Sequence, residues 1–544
     1  MPIKIRVNDM TMTHSLPNEH TAHKPDLEQQ PSAQGRLAFQ GILAAGLIYT
    51  GASLFTDIAS TGEPVTTYLP FALLALALLV ALGFEFVNGF HDTANAVATV
   101  IYTHSLPPHF AVVWSGIFNF LGVMVSSGAV AFGIISLLPV ELILQVGSKA
   151  GFAMVFALLC AAIIWNLGTW WLGLPASSSH TLIGSIIGVG ITNALMHGHD
   201  GTSGVDWSQA AKVGYSLLLS PILGFCCAAL LLLALRLLVK NRHLYEEPKG
   251  KAPPPWWIRG ILILTCTGVS FAHGSNDGQK GMGLIMLILV GTVPLAYALN
   301  RSMSEAEVTQ FVAMAQATRQ SLAQANPAPP PENYREYLSE YLRTKTLRPE
   351  VMPALGALTT AVADQVKTHS TLSKVPAMAV PNVRNDMYLA AEALQLLLKD
   401  KTLSLSPDTV ANMRAFLSSL DKATKFIPIW VKVAVAIALG LGTMIGWKRI
   451  VVTVGEKIGK THLTYAQGAS AEVVAMLTIG AADLYGLPVS TTHVLSSGVA
   501  GTMAANKSGL QLATIRNLFM AWVLTLPAAM LLSGFLFWSF SGLF

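Results

Sequence analysis

The chain has 544 residues, 52% of them hydrophobic and only 12% charged, with a mean hydropathy of +0.53. A soluble domain carries about 25% charged residues, so this composition excludes a soluble enzyme and predicts an all-α polytopic membrane protein. The net charge of +5 is small and its basic residues gather in a few loops, which argues against nucleic acid as a partner.

Residues 1–37 are polar, charge-balanced and rich in Pro and His, without the apolar core of a signal peptide, and are expected to be a disordered cytoplasmic tail. His14, His20 and His23 are irregularly spaced with no carboxylate partner, so they read as solvated tail histidines and not metal ligands. Eleven apolar stretches follow, judged by the roughly 20 residues that a spanning helix needs. They lie at 38–57, 69–102, 110–138, 151–172, 176–196, 213–239, 257–300, 427–446, 466–483, 488–504 and 515–541. Four cysteines, Cys160, Cys226, Cys227 and Cys266, all fall in these runs and are expected to be buried free thiols.

The second and seventh stretches are interrupted by related polar motifs. Residues 83–96 read GFEFVNGFHDTANA and residues 271–283 read FAHGSNDGQKGMG, with Gly274 and Asp277 aligning on Gly89 and Asp92. A carboxylate in the hydrocarbon layer costs at least a few kcal/mol and is retained for an ion, a proton relay or a partner charge. Each of these long stretches is expected to be one crossing made by a broken or re-entrant helix. A second signature repeats as GLPASSSHTLIG at 173–184 and GLPVSTTHVLSSG at 486–498, so that two hydroxyl triplets and His180 and His493 coincide. The offset between the halves is five crossings, an odd number, so the repeats are inverted, as in secondary transporters.

Charge orients this arrangement. The basic loops Lys240 to Arg259 and Lys448 to Lys460 should be cytoplasmic, which puts the polar residues 301–425 outside. The expected organisation is an extra N-terminal membrane helix and outer loop at 38–68 and a first repeat at 69–239. A basic cytoplasmic loop at 240–256 leads into the second repeat, which starts at 257–300 and resumes at 426–544 after a helical extracytoplasmic insert at 301–425. This amounts to about 11–12 membrane segments. Within the insert, Ser304 with Glu307 forms a capping box and Ser406-Pro407-Asp408 opens a helix. No GxxxxGK[ST] motif is present, so no use of ATP is expected.

Pro175 and Pro488 favour helix starts just after them, where Ser177, Ser178 and Ser179, or Ser490, Thr491 and Thr492, can cap exposed N–H groups. Two helix N-termini lined with hydroxyls suit a small oxyanion such as phosphate. Asp92 and Asp277 would repel that anion unless a cation or proton sits between them, which points to cation-coupled oxyanion symport. His180 and His493 either orient the hydroxyl loops or handle protons. Glu85 and Glu472 are further intramembrane acids. Glu85 has no acidic counterpart at the matching Ser270, and for Glu472 coupling and structural roles weigh equally. Asp483 reads as interfacial, and His273 as a support for Asp277 or a packing residue.

NGFHDTANAVATVIYT at 88–103, WNLGTWWLGLPASSSHTLIG at 165–184, HGSNDGQKG at 273–281 and GLPVSTTHVLSS at 486–497 closely resemble the PiT family of inorganic phosphate transporters, and in particular bacterial low-affinity Pit-type permeases. The resemblance covers nearly all of residues 69–541 and implies multi-pass phosphate uptake across a bacterial inner membrane. It implies a substrate site drawing on Ser177, Ser178, Ser179, Thr181, Ser490, Thr491, Thr492, Asn276, Gln279 and Lys280. Coupling falls to Asp92, Asn95, Asp277, His91, His180, His493, Glu472 and Glu85, with Asp92 and Asp277 as metal ligands. No tightly bound cofactor is expected, only co-transported H+ with a divalent metal such as Mg2+; a homodimer is left open. Sodium-coupled members look like GANDVANA and GxNDVxNA, whereas here His91 stands for the first Asn of the motif and Lys280 aligns with Asn95. A fixed ammonium can replace a bound cation, so Lys280 is expected to occupy what would be a sodium site. That agrees with proton symport of a neutral metal-phosphate complex. Sodium-coupled phosphate symport, or transport of another tetrahedral oxyanion such as sulfate, are the alternatives.

Overall fold

The computed structural model describes residues 25–28, 32–62, 68–92, 94–138, 148–198, 200–248, 250, 252–369, 371–376, 378–400 and 402–543. His14, His20 and His23 lie outside them, as does the side chain of Asn95. Among the described residues the regular structure is helical, with one isolated β-bridge between Gly459 and Leu510.

Helix α1 spans Ala33–Ala59 and α2 spans Leu69–Asp92, followed by α3 at Ala94–Tyr102 and α4 at Pro108–Val125. Next come α5 at Ala129–Ile135, α6 at Lys149–Trp171, α7 at Ser178–Met196, α8 at Trp207–Leu238 and α9 at Trp256–Thr292. The insert holds α10 at Glu305–Ala325, α11 at Tyr334–Thr344, α12 at Val351–His369, α13 at Val380–Lys399 and α14 at Pro407–Thr424. The chain then returns through α15 at Ile429–Gly442, α16 at Tyr465–Leu484, α17 at Thr491–Ala505 and α18 at Leu512–Ser541.

The two halves exchange partners. In the first half α4 packs on α9 of the second, and reciprocally α15 packs on α2; α7 packs on α18, and α17 packs on α8. Within each half α2 meets α6 and α9 meets α16. Each of these pairings thus has its mate in the other half, as two related repeats require. The final helix of each half even carries an internal proline, Pro221 and Pro527.

The equivalence extends to the Asp motifs. A Cβ on Gly89 would run into the Leu439 carbonyl of α15, and one on Gly274 into the Asn119 carbonyl of α4. These glycines let backbones approach closely, the device by which membrane helices associate without a hydrophobic driving force between them.

Several expectations change. The second motif does not break its helix: α9 runs unbroken for 37 residues, and none of its glycines has positive φ. Gly274, Gly278 and Gly283 instead make room for Asn119, Val123 and Ala131. In the stretch at 69–102 the chain is helical up to residue 92 and again from residue 94, and the break expected there falls on residue 93, outside the described residues. The segment expected at 110–138 does divide, with Gly128 at φ 87 between α4 and α5. Seven helices or joined helices among the described residues are by length and composition able to cross a membrane: α1, α2 with α3, α4, α6, α7, α8 and α18. The bent pair of α14 and α15, at 71°, would add an eighth. The expected segments at 257–300, 466–483 and 488–504 correspond to α9, α16 and α17. There polar side chains or short length dilute the apolar signal, as burial inside the bundle permits. Of the cysteines only Cys266 is buried; Cys226 and Cys227 lie exposed on α8, and all four are free thiols.

The insert is helical throughout and has its own core, in which Leu355, Leu358, Met387, Leu394, Phe416 and Leu420 are fully buried. Its capping box at Ser304 and Glu307 is formed, and Ser406 caps α14 ahead of Pro407.

Candidate functional site

The two GLP loops shape the site. Gly173 and Gly486 take left-handed φ of 67 and 65, turning the chain between α6 and α7 and between α16 and α17. Ser177 then accepts from the His180 N–H and Ser490 from the His493 N–H, the N-caps of α7 and α17. Of the remaining triplet hydroxyls, Ser178 and Thr492 reach the acids of α2 and α9, while Ser179 donates to the Val489 carbonyl at 2.8 Å.

Asp92 is buried on α2. It accepts hydrogen bonds from Ser178 of the first triplet and, at 2.6 Å, from Thr492 of the second. His91 Nδ1 lies 3.0 Å from the same carboxylate, and its Nε2 is 3.1 Å from the Thr169 hydroxyl. Asp277, in the middle of α9, is paired with Lys280 Nζ at 2.7 Å, and Ser178 Oγ is 3.4 Å away. Lys280, fully buried, also donates to Ser179 at 2.5 Å. One triplet therefore touches both carboxylates and the ammonium.

His273 completes the cluster. One turn before Asp277, it places Nε2 3.6 Å from Asp277 Oδ2. Ligand atoms of Asp92, His273 and Asp277 all lie within 4.8 Å of one another, and all three residues are buried. Beside them a small cavity is lined by Asp92, Ala96, Val269, Ser270, His273, Thr491 and Leu495. Among the described residues Thr491 Oγ1, His273 Nε2 and Asp277 Oδ1 have no hydrogen-bond partner. Unpaired buried polar atoms are costly, and two of these residues, His273 and Thr491, line the cavity.

Other expected residues serve the frame. Asn276 donates to the Leu487 carbonyl at 3.1 Å and accepts from Val489 N–H at 3.4 Å, holding the second GLP loop. The Gln279 amide is engaged by Asp483, the Ser275 carbonyl and the Val130 N–H. Asp483, read as interfacial, also accepts from Ser275 at 2.6 Å and so braces α16 against α9. Thr181 donates to the Ser177 carbonyl. The rings of His180 and His493 lie 4.6 Å apart, with Trp522 on the far face of His493 at 4.3 Å. Glu85 is fully buried against Gly281, with Asn88 Nδ2 at 3.4 Å, and Glu472 accepts from Thr265. Neither belongs to the three-residue ligand group.

This geometry stands inside a chain whose residues 88–533 match the model of the phosphate transporter family. The chain belongs to that family. The low-affinity inorganic phosphate transporter PitA of Escherichia coli K12 is 44% identical over 492 residues, covering 86% of this chain and 96% of that protein. PitB of the same strain is 42% identical over 495 residues, with 86% and 96% covered. A solved structure titled the sodium-dependent phosphate transporter shares 19% identity at a TM-score of 0.48, covering 87% of this chain and 100% of that one. The protein is thus a multi-pass inorganic phosphate transporter of the PiT family, not an enzyme.

In this phosphate transporter the buried group with metal-ligand spacing includes His273 as well as the two acids named from sequence. His273 had a usable signal, since a spacing of four from Asp277 places both on one helix face. Asn119, which contacts His273 from α4, had none, because nothing in the sequence pairs positions so far apart.

Proposed function

We propose that the protein imports phosphate with protons across a bacterial inner membrane, as a neutral complex with a divalent metal. The insert then lies on the outer face and the loops around Lys240 and Lys448 inside. The observation that carries this reading is the convergence of Asp92, His273 and Asp277 in one buried cluster beside the hydroxyls of both triplets. Two carboxylates and an imidazole form an anionic donor set that a divalent cation would neutralise. Phosphate is then accepted by the hydroxyl-lined helix ends, where N–H groups and the positive dipole end favour an anion.

Lys280 supports proton coupling over sodium coupling. Its ammonium sits on Asp277, where a monovalent cation would otherwise be needed, so the site carries a fixed positive charge. Transport then proceeds by alternating access, with occlusion eased by mutual neutralisation of metal, phosphate and carboxylates.

Radiolabelled phosphate uptake into proteoliposomes under an imposed pH gradient, with and without Mg2+ and separately with Na+, tests the reading. Proton-driven uptake that rises with Mg2+ is expected. Uptake that requires Na+ would replace the coupling ion, and indifference to Mg2+ would remove the metal complex.

A further inference from the structure

We infer that Asn119 is the positioning residue of the cation site: by accepting the Nδ1 proton of His273 it leaves Nε2 as a bare lone pair facing Asp92 and Asp277. This rests on the metal-phosphate reading above. Asn119 is fully buried on α4, and its side-chain oxygen lies 2.8 Å from His273 Nδ1. Its place is fixed by the backbone, because the Asn119 carbonyl fills the space where a side chain on Gly274 would stand. The residue that orients the ring is therefore held by the close α4–α9 crossing.

The tautomer follows. A neutral imidazole carries one N–H, and an amide oxygen at Nδ1 draws it there, leaving Nε2 unprotonated. At 3.6 Å from Asp277 Oδ2, Nε2 is too far for a good hydrogen bond, and it has no partner among the described residues. A bare nitrogen and two carboxylates have ligand atoms within 4.8 Å of one another, and Lys280 offsets only one of the two negative charges, so the group retains a net attraction for a further cation. The reverse orientation of the Asn119 amide would donate to Nδ1 and point an Nε2–H at Asp277, making His273 a donor to the acid and no metal ligand. The two arrangements predict opposite behaviour.

Mn2+ binding to the purified full-length protein, read by electron paramagnetic resonance at one fixed pH without phosphate, separates them. Orienting partners of a metal-bound histidine typically contribute about 10- to 100-fold in affinity. Asn119→Ala should weaken Mn2+ binding by that factor, while Asn119→Asp, which still accepts from Nδ1, should restore it to within about threefold of wild type. Wild-type affinity in Asn119→Ala, or no recovery in Asn119→Asp, overturns the role. Ring-15N spectra of the unmutated protein, assigned by loss of the signal in His273→Gln, read the tautomer directly. A protonated Nδ1 is expected, and a protonated Nε2 overturns the inference even if both variants misfold. A wild-type protein that binds no Mn2+ but shows Nδ1–H would instead refute the metal reading while leaving the orientation by Asn119 intact.

Discussion

At the scale of single residues the site is asymmetric where its motifs are symmetric. Asp92 accepts from hydroxyls of both triplets, whereas Asp277 is paired through Oδ2 with an ammonium. Removing one member of a buried ion pair leaves an uncompensated charge, at a cost of about 3–5 kcal/mol. Lys280→Asn should therefore recruit a cation to Asp277, and uptake in proteoliposomes should become stimulated by Na+; a variant with unchanged cation dependence would refute the role given to Lys280. Asp92→Asn and Asp277→Asn should each abolish coupled uptake while the protein still purifies folded from the membrane. Normal transport by either would remove the carboxylates from the mechanism. The repeat in the sequence exposed these acids and Lys280, because an aligned pair and a mismatch within it are both visible in one dimension. The engagement of Gln279 with Asp483 was not visible, since it depends on how α16 settles against α9.

At the scale of elements, helix contacts depend on small residues at defined places. Gly89 and Gly274 each face a carbonyl of a helix from the other half, while Gly83 and Gly260, on the same helices, face open space. Overpacking a tight contact costs typically 1–3 kcal/mol, roughly, whereas Gly to Ala in an open helix position gains up to about 1 kcal/mol. Gly89→Ala and Gly274→Ala should thus lower the melting temperature of the detergent-solubilised protein, and Gly83→Ala and Gly260→Ala should leave it unchanged or raise it. Equal behaviour of the two pairs would show that the close crossings do not hold the halves together. The same glycines explain why the sequence pointed to a broken α9. Glycine beside polar residues signals a turn when read alone, but here it marks the approach of a partner helix, which only the packed structure reveals. The hydroxyl caps at Ser177 and Ser490 were legible because capping is local.

At the scale of the whole molecule the open question is how an insert of over a hundred residues is tied to a moving transporter. Its two roots meet at α1. Asp57 Oδ2 accepts from the Tyr297 hydroxyl at 2.7 Å and from the Trp430 indole N–H at 2.9 Å, and the two rings lie 6.3 Å apart. Tyr297 immediately precedes the insert and Trp430 follows it, so one carboxylate from a helix outside the family-matched region clamps both ends. Asp57→Ala leaves two donors unpaired, about 1–3 kcal/mol each, and should raise hydrogen exchange at both roots, with Asp57→Asn showing a smaller rise because an acceptor oxygen remains. Unchanged exchange in Asp57→Ala would mean that the insert is held elsewhere. Charge within the insert gives a second handle. Burial pushes the Glu392 carboxyl above its ordinary range despite Lys425 and Lys399 nearby. A raised carboxyl holds its proton to higher pH in the folded state than in the unfolded one. The destabilisation is therefore absent below the ordinary carboxyl pKa and grows as pH rises through the folded value. Amides of α13 in the full-length protein, corrected for intrinsic exchange rates, should be better protected near pH 5 than near pH 8. Glu392→Gln, which cannot ionise, should remove that difference; if the pH dependence persists in the variant, the charge responsible lies on another residue of the insert.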